Sequence, residues 1–273
     1  MQYALYMDRI ANCFERTRRE KRAAFIAYIC AGDPDYTTSL RAAKTLVEAG
    51  TDLLELGMPF SDPLADGITN QHAAERALAA GSTQDEVFRL AGELRKSTEI
   101  PIIFYTYYNL VLAHGEDEFC RRCAQVGIDG VLTLDLPPEY AGSMLAACKA
   151  HGLKNIFIIA PTTPAARMEK ICAVAGGFIY YVSREGVTGE RATLSDTIEA
   201  KVAEIRRHTS LPVAVGFGIS RREHVAAIAK MADGAVVGSA LVNCIGHTDG
   251  KRDEMIAKLK AKADELISGC PIV

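Results

Sequence analysis

The sequence predicts a (β/α)8 barrel preceded by an extra N-terminal helix. Eight short β-type runs alternate with longer segments of helical period across 273 residues. The runs are almost continuously apolar, as strands covered on both faces are. Each is separated from the next by a helix, the pattern of parallel strands joined by right-handed crossovers. Closing such a sheet removes its edges. An open doubly wound sheet is the alternative, but Cys30-Ala31-Gly32-Asp33-Pro34 after the first strand is not the Gly-rich fingerprint expected there. The whole chain, 1–273, is expected to form one domain.

In chain order, the first 22 residues read as an amphipathic helix ending in charges, without the apolar core of a signal peptide. The strands are expected at Phe25–Cys30, Asp52–Leu56, Ile102–Thr106, Gly130–Leu134, Asn155–Ile159, Phe178–Val182, Val213–Gly216 and Ala235–Val237. Helices are expected at Thr37–Ala49, Thr83–Lys96, Asp117–Gln125, Pro138–His151, Pro164–Ala175, Ser195–His208 and Arg221–Ala229. Several open on a capping residue or a first-turn proline, and several close on a glycine just before the next strand.

A net charge of -3 with scattered Lys and Arg argues against a nucleic-acid or acidic-membrane partner. No apolar run is long enough to span a bilayer. Eight cysteines without a secretion signal read as reduced thiols of a cytoplasmic protein, and Cys120-Arg-Arg-Cys123, without a second ligand pair, as apolar helix positions.

In a barrel the chemistry sits at the C-terminal ends of the strands. The stretch LLELGMPFSDPLADGITNQ, Leu53 to Gln71, places Glu55 at the end of the second strand and Asp62 and Asp66 on the loop after it. Desolvation and like charge would both raise a carboxylate pKa there, making an acid and a base that work near neutrality. The plainer alternative is that Glu55 is a satisfied polar residue and that the two aspartates cap turns. After strands seven and eight come Gly216-Phe217-Gly218 and Gly238-Ser239, the paired loops where barrels commonly hold phosphate, with Gly189 a further N–H. No lysine and no histidine ends a strand, which leaves a Schiff-base mechanism without its nucleophile and a His-ligated metal site without its ligands. Metal-free carboxylate acid–base chemistry on a phosphorylated substrate remains, with Ser183–Arg191 as a candidate lid. An FMN-dependent barrel and a non-catalytic barrel serving as a binding subunit stay open as rivals.

The segments ELGMPFSDPLADG, TYYN, DLP, YYVSREGVTG, VGFGIS and GAVVGSALV occur in this order over nearly the whole chain, which thereby resembles the tryptophan synthase α-subunit family. The resemblance implies retro-aldol cleavage of indole-3-glycerol phosphate to indole and glyceraldehyde 3-phosphate. It implies that Glu55 is the acid–base residue, that Asp66 holds the indole N–H, and that Tyr180 lies beside the glycerol chain. Phe25 and Tyr107 would border the indole. Gly189, Phe217, Gly218, Gly238 and Ser239 would cradle the phosphate, and Thr188 would close the lid on Asp66. The family pairs with a β subunit in an α2β2 complex, and pyridoxal phosphate belongs to that partner, none to this chain. Asp62, Asn109 and Pro137 would face it. After ADG the family usually continues PTIQ, whereas this chain has Ile68-Thr69-Asn70-Gln71, which frees φ after the aspartate and puts an amide where the family prefers an aliphatic side chain. A stand-alone or specialised lyase is the alternative within the same chemistry.

Overall fold

The computed structural model describes residues 8–183, 191–216, 218–246 and 251–270. Eight parallel strands pair in sequence order and close, β1 against β8. They are β1 (Ala24–Cys30), β2 (Leu53–Gly57), β3 (Ile102–Thr106), β4 (Gly130–Thr133), β5 (Lys154–Ile159), β6 (Ile179–Val182), β7 (Val213–Gly216) and β8 (Gly234–Val237). The helices are α1 (Arg9–Arg19), α2 (Tyr36–Glu48), α3 (Ile68–Ala79), α4 (Gln84–Arg95), α5 (Tyr108–Leu112), α6 (Glu116–Gln125), α7 (Gly142–Ala150), α8 (Ala165–Val174), α9 (Arg191–Arg206), α10 (Arg222–Ala229), α11 (Ser239–Gly246) and α12 (Arg252–Ile267). The expected strands are within one residue of these at either end. The expected Pro138–His151 helix divides into a 3-10 turn over Pro138–Tyr140 and α7. Among the described residues no helix is long and apolar enough to cross a membrane.

Side chains of known capping type open several helices. Asp8 accepts the Ala11 N–H of α1, Asp35 the Thr38 N–H of α2, and Thr83 the Glu86 N–H of α4. Two apolar layers then form, because successive strand residues point to opposite faces. Ile26, Leu53, Ile103, Leu132, Ile156, Ala214 and Val236 fill the barrel, and Ile10, Cys13 and Phe14 of α1 pack into the same cluster. The extra helix therefore plugs one end. Phe25, Ala27, Ile29, Leu54, Leu56 and Phe104 point the other way, into the layer beneath the surrounding helices. All eight cysteines are buried and free, with Cys120 and Cys123 in that outer layer.

The plugged end is fastened by three aspartates that immediately precede β2, β4 and β8. Asp52 accepts the backbone N–H of Phe25 at 2.9 Å, Asp129 that of Ile102 at 2.9 Å, and Asp233 that of Val213 at 2.9 Å. The backbone N–H of each aspartate bonds in return to the carbonyl of the same residue. Arginines pair with all three carboxylates. Arg22 binds Asp52 through two nitrogens at 2.6 and 2.8 Å, Arg95 binds Asp129 at 2.8 Å, and Arg206 binds Asp233 at 3.0 Å. With one end devoted to support, the opposite end is free for chemistry.

Candidate active site

At the open end β2 carries Glu55, in register with Tyr28 of β1 and Ile103 of β3. Glu55 lies two residues inside the strand rather than at its last position, and it is fully buried. Among the described residues neither carboxyl oxygen has a hydrogen-bond partner. Burial alone raises its pKa to about 8. The expected like-charge contribution is not among the causes, so the group is neutral at pH 7 through desolvation. A buried acid with both oxygens unpaired is costly, and such groups concentrate at functional sites.

Asp66 stands on the β2–α3 loop with its oxygens occupied. Tyr105 donates to Oδ1 at 2.9 Å, Tyr107 to Oδ2 at 2.7 Å, and the Asn70 amide lies 3.5 Å from Oδ1. Burial raises its pKa, and the two phenols and the amide, donating to the charged form, pull it back. The loop is shaped by the same groups: the Tyr107 hydroxyl accepts the Ala65 N–H, and the Gln71 amide donates to the Asp66 carbonyl. Helix α3 starts at Ile68 without a side-chain cap from Gly67. It is held in place by Arg76, which grips the buried Asp33 through two nitrogens at 2.8 Å each, and by Ala73, Ala74 and Ala77 packed with Tyr28 and Cys30.

Glu55, Tyr28, Tyr105, Asn70 and Tyr180 share a cavity of about 260 Å³ with Gly216, Gly218, Gly238 and Ser239. Two glycines make room for its aromatic walls. A Cβ on Gly57 would lie 2.4 Å from the Tyr28 hydroxyl, and one on Gly216 2.4 Å from the Tyr180 hydroxyl. The Tyr28 ring thereby meets Tyr105 edge-on, centroids 4.9 Å apart. In the same cavity the β7 and β8 loops contribute glycines, and α11 begins at Ser239, which places a helix N-terminus at the lining.

A family model for the tryptophan synthase alpha chain matches residues 14–270. The tryptophan synthase alpha chain of Opitutus terrae is 57% identical over 263 residues, covering 96% of this chain and 99% of the relative. The solved alpha subunit from Legionella pneumophila superposes with a TM-score of 0.89 at 34% identity, over 96% of this chain and 98% of that one. A tryptophan synthase structure from M. tuberculosis matches with a TM-score of 0.87 at 33% identity, over 97% and 99%. This chain belongs to the tryptophan synthase alpha chain family. Tryptophan synthase alpha chains are lyases that cleave indole-3-glycerol phosphate, and that is the function of this chain.

For an alpha chain, the structure brings together Glu55, Tyr180, Gly218, Gly238 and Ser239 around one cavity, with Asp66 at its edge through Tyr105 and Asn70. Tyr107 touches Asp66 and packs on Phe60, centroids 5.0 Å apart, and is not among the lining residues. Phe25 must be corrected. It is an outward-facing residue of β1, buried under the helices, and its N–H belongs to the Asp52 clasp at the plugged end. Tyr28, three residues on and of opposite parity, takes the pocket position. Tyr105 and Asn70 were missed as well. Within AFIAYIC and IIFYT the hydroxyls of Tyr28 and Tyr105 are the one signal the sequence held for them, and the register shows that their parity points inward. Thr188, Gly189 and Phe217, and most of the candidate lid, lie outside the described residues.

Proposed function

We propose that Glu55 performs both proton transfers of the cleavage and that Asp66 holds the ring nitrogen. Protonated Glu55 gives its proton to C3 of the indole ring, leaving a positive charge delocalised onto the ring N–H. Asp66, whose hydrogen-bond donors favour its charged form against burial, accepts that N–H and stabilises the charge. The Glu55 carboxylate then takes the proton from the hydroxyl on the glycerol carbon next to the ring. The C–C bond breaks as that hydroxyl becomes an aldehyde, and its electrons restore the aromatic indole. One proton is given and one taken back, so Glu55 ends as it began. Tyr180 lines the path of the glycerol chain. Gly218, Gly238 and Ser239 bind the phosphate, together with Gly189 and Phe217, and Thr188 closes on Asp66. The observation that carries this reading is Glu55 itself: an unpaired buried acid, neutral at pH 7, facing glycine loops across a small cavity.

The partner is a tryptophan synthase β subunit in an α2β2 assembly, in the cytoplasm, with pyridoxal phosphate on the β subunit. The loops after β2, β3 and β4 support this. They expose Leu64 (91%), Ile68 (64%), Leu112 (52%) and Tyr140 (76%), large apolar side chains left in water on the same end of the barrel as the cavity. Asp62 and Asn109 are exposed and Pro137 half-buried in these same loops. The test is indole release from indole-3-glycerol phosphate by this chain, alone and with a β subunit added. Turnover that rises with the partner is expected. No indole in either case contradicts the catalytic assignment, and turnover indifferent to the partner contradicts the docking assignment.

A further inference from the structure

We propose that Tyr105 is a positioning residue for the cleavage, whose hydroxyl fixes the Asp66 carboxylate at the edge of the cavity before substrate arrives. This role rests on the assignment of Asp66 made above. Tyr105 is the inward residue at the last layer of β3, paired with Gly57 of β2. Its position follows from a chain of contacts. Gly57 lacks a side chain, so the Tyr28 ring lies over it; Tyr28 meets Tyr105 edge-on at 4.9 Å; and Tyr105 then reaches Asp66 Oδ1 at 2.9 Å. A strand residue is a firmer anchor than a loop residue. Asp66 and Tyr107 both stand on segments beyond their strands, so Tyr105 is the donor that ties the carboxylate to the barrel wall.

Asn70 adds to the same clamp. Its amide nitrogen is 3.5 Å from Asp66 Oδ1, and its carbonyl oxygen is buried without a partner among the described residues. The carboxylate therefore receives phenols from the β3 end and an amide from α3, and its plane is set on both sides. A loop aspartate held in this way need not reorganise when charge develops on the ring. The titratable groups whose charge Asp66 feels from neighbouring elements are Tyr28 and Cys30 on β1, Tyr105 and Tyr107 on β3 and its loop, and Tyr180 on β6. Glu55 on β2 couples to Tyr28 and Tyr180 in the same cavity.

The experiment compares the wild-type chain with Tyr105→Phe, Tyr105→3-fluorotyrosine and Asp66→Asn. It measures kcat and KM for indole-3-glycerol phosphate from pH 5 to 9, together with thermal stability. The substrate phosphate ionises near pH 6 in every case and cancels between variants. Removing the phenol withdraws a donor from the charged carboxylate, so in Tyr105→Phe the acid limb of kcat/KM moves up by about one pH unit and kcat falls about tenfold. The fluorinated residue keeps the volume and strengthens the donor, so it moves the limb the other way, and it keeps the proposal testable if the Phe variant does not fold. Asp66→Asn loses turnover throughout. An unmoved limb in both Tyr105 variants beside an inactive Asp66→Asn overturns the role of Tyr105 and leaves that of Asp66 standing. Wild-type turnover in Asp66→Asn overturns both.

Discussion

Replacing Glu55 by Gln separates the catalytic cost of this residue from its structural cost. In the unfolded chain the carboxyl ionises at its ordinary value of 4.5, whereas burial raises it to about 8 in the folded chain. The unfolded state thus releases its proton first as pH rises. The folded state's stability is undiminished below 4.5, falls between 4.5 and 8, and levels above 8. At about 1.4 kcal/mol per tenfold, the gap amounts to about 5 kcal/mol at high pH. That is a large share of a typical domain stability of roughly 5–15 kcal/mol. Gln cannot ionise, so the variant escapes this loss while keeping the shape of the side chain. Urea denaturation of both proteins between pH 5 and 7.5 should show the variant gaining about 3 kcal/mol on the wild type across that window. Asp66 and the other perturbed groups are common to both proteins and drop out of the difference. Turnover should vanish in the variant, while binding of an indolylalkyl phosphate without the glycerol hydroxyls persists. Parallel stability curves would refute the reasoning that the carboxyl is buried and neutral. Wild-type turnover would refute its part in the chemistry.

The other expectations are simpler to state. Because the cleaving form carries a protonated Glu55, kcat/KM should be lost as pH rises through about 8, and a profile flat to pH 9.5 contradicts this. Gly216→Ala puts a methyl 2.4 Å from the Tyr180 hydroxyl and 2.8 Å from its Cζ, so the ring must move. A loss of at least about tenfold in kcat/KM with a fall in melting temperature of only a few degrees is expected, and unchanged kinetics would show that Tyr180 is not placed by that contact. Asp52→Ala leaves Arg16 without its carboxylate, Arg22 with Glu20 alone, and the Phe25 N–H without its acceptor. Denaturation should reveal a loss of about 3–5 kcal/mol, with the kcat of the folded enzyme unaltered because the change lies at the far end of the barrel. Leu64→Asp should weaken stimulation by a β subunit and spare the basal rate, as titration of the partner will show.

The barrel was legible in the sequence because its signal is redundant. Eight apolar runs separated by helical segments leave little choice, and an error of one residue in β1 or β4 does not alter the topology. The ends of strands two, seven and eight were legible for a related reason: a carboxylate or a glycine pair among apolar residues breaks a pattern. The residues that escaped are those that break none. In β1 every residue is buried, so the run AFIAYIC conceals which parity faces the cavity, and Phe25 could stand in for Tyr28. Only the register with β2, which sets Tyr28 opposite Glu55, resolves it. Asn70 was noticed as a departure from the family pattern, but its contact with Asp66 depends on how α3 returns over the barrel mouth. That geometry is set by the distant Arg76–Asp33 pair, which no local pattern announces. Of the two causes expected for the Glu55 shift only burial operates, and that the like charge of Asp66 plays no part was beyond sequence.

The clasps at Asp52, Asp129 and Asp233 stitch β1 to β2, β3 to β4 and β7 to β8, and of these alternate pairs only β5 to β6 is sewn differently. At the matching place between β5 and β6 the chain has Gly176, whose N–H bonds to the Asn155 carbonyl with no side chain to answer. The buried Asn155 amide nitrogen next to it has no partner among the described residues. The hoop is therefore strapped by side chains at three of these places and by backbone alone at the fourth, beneath the strand that carries Tyr180.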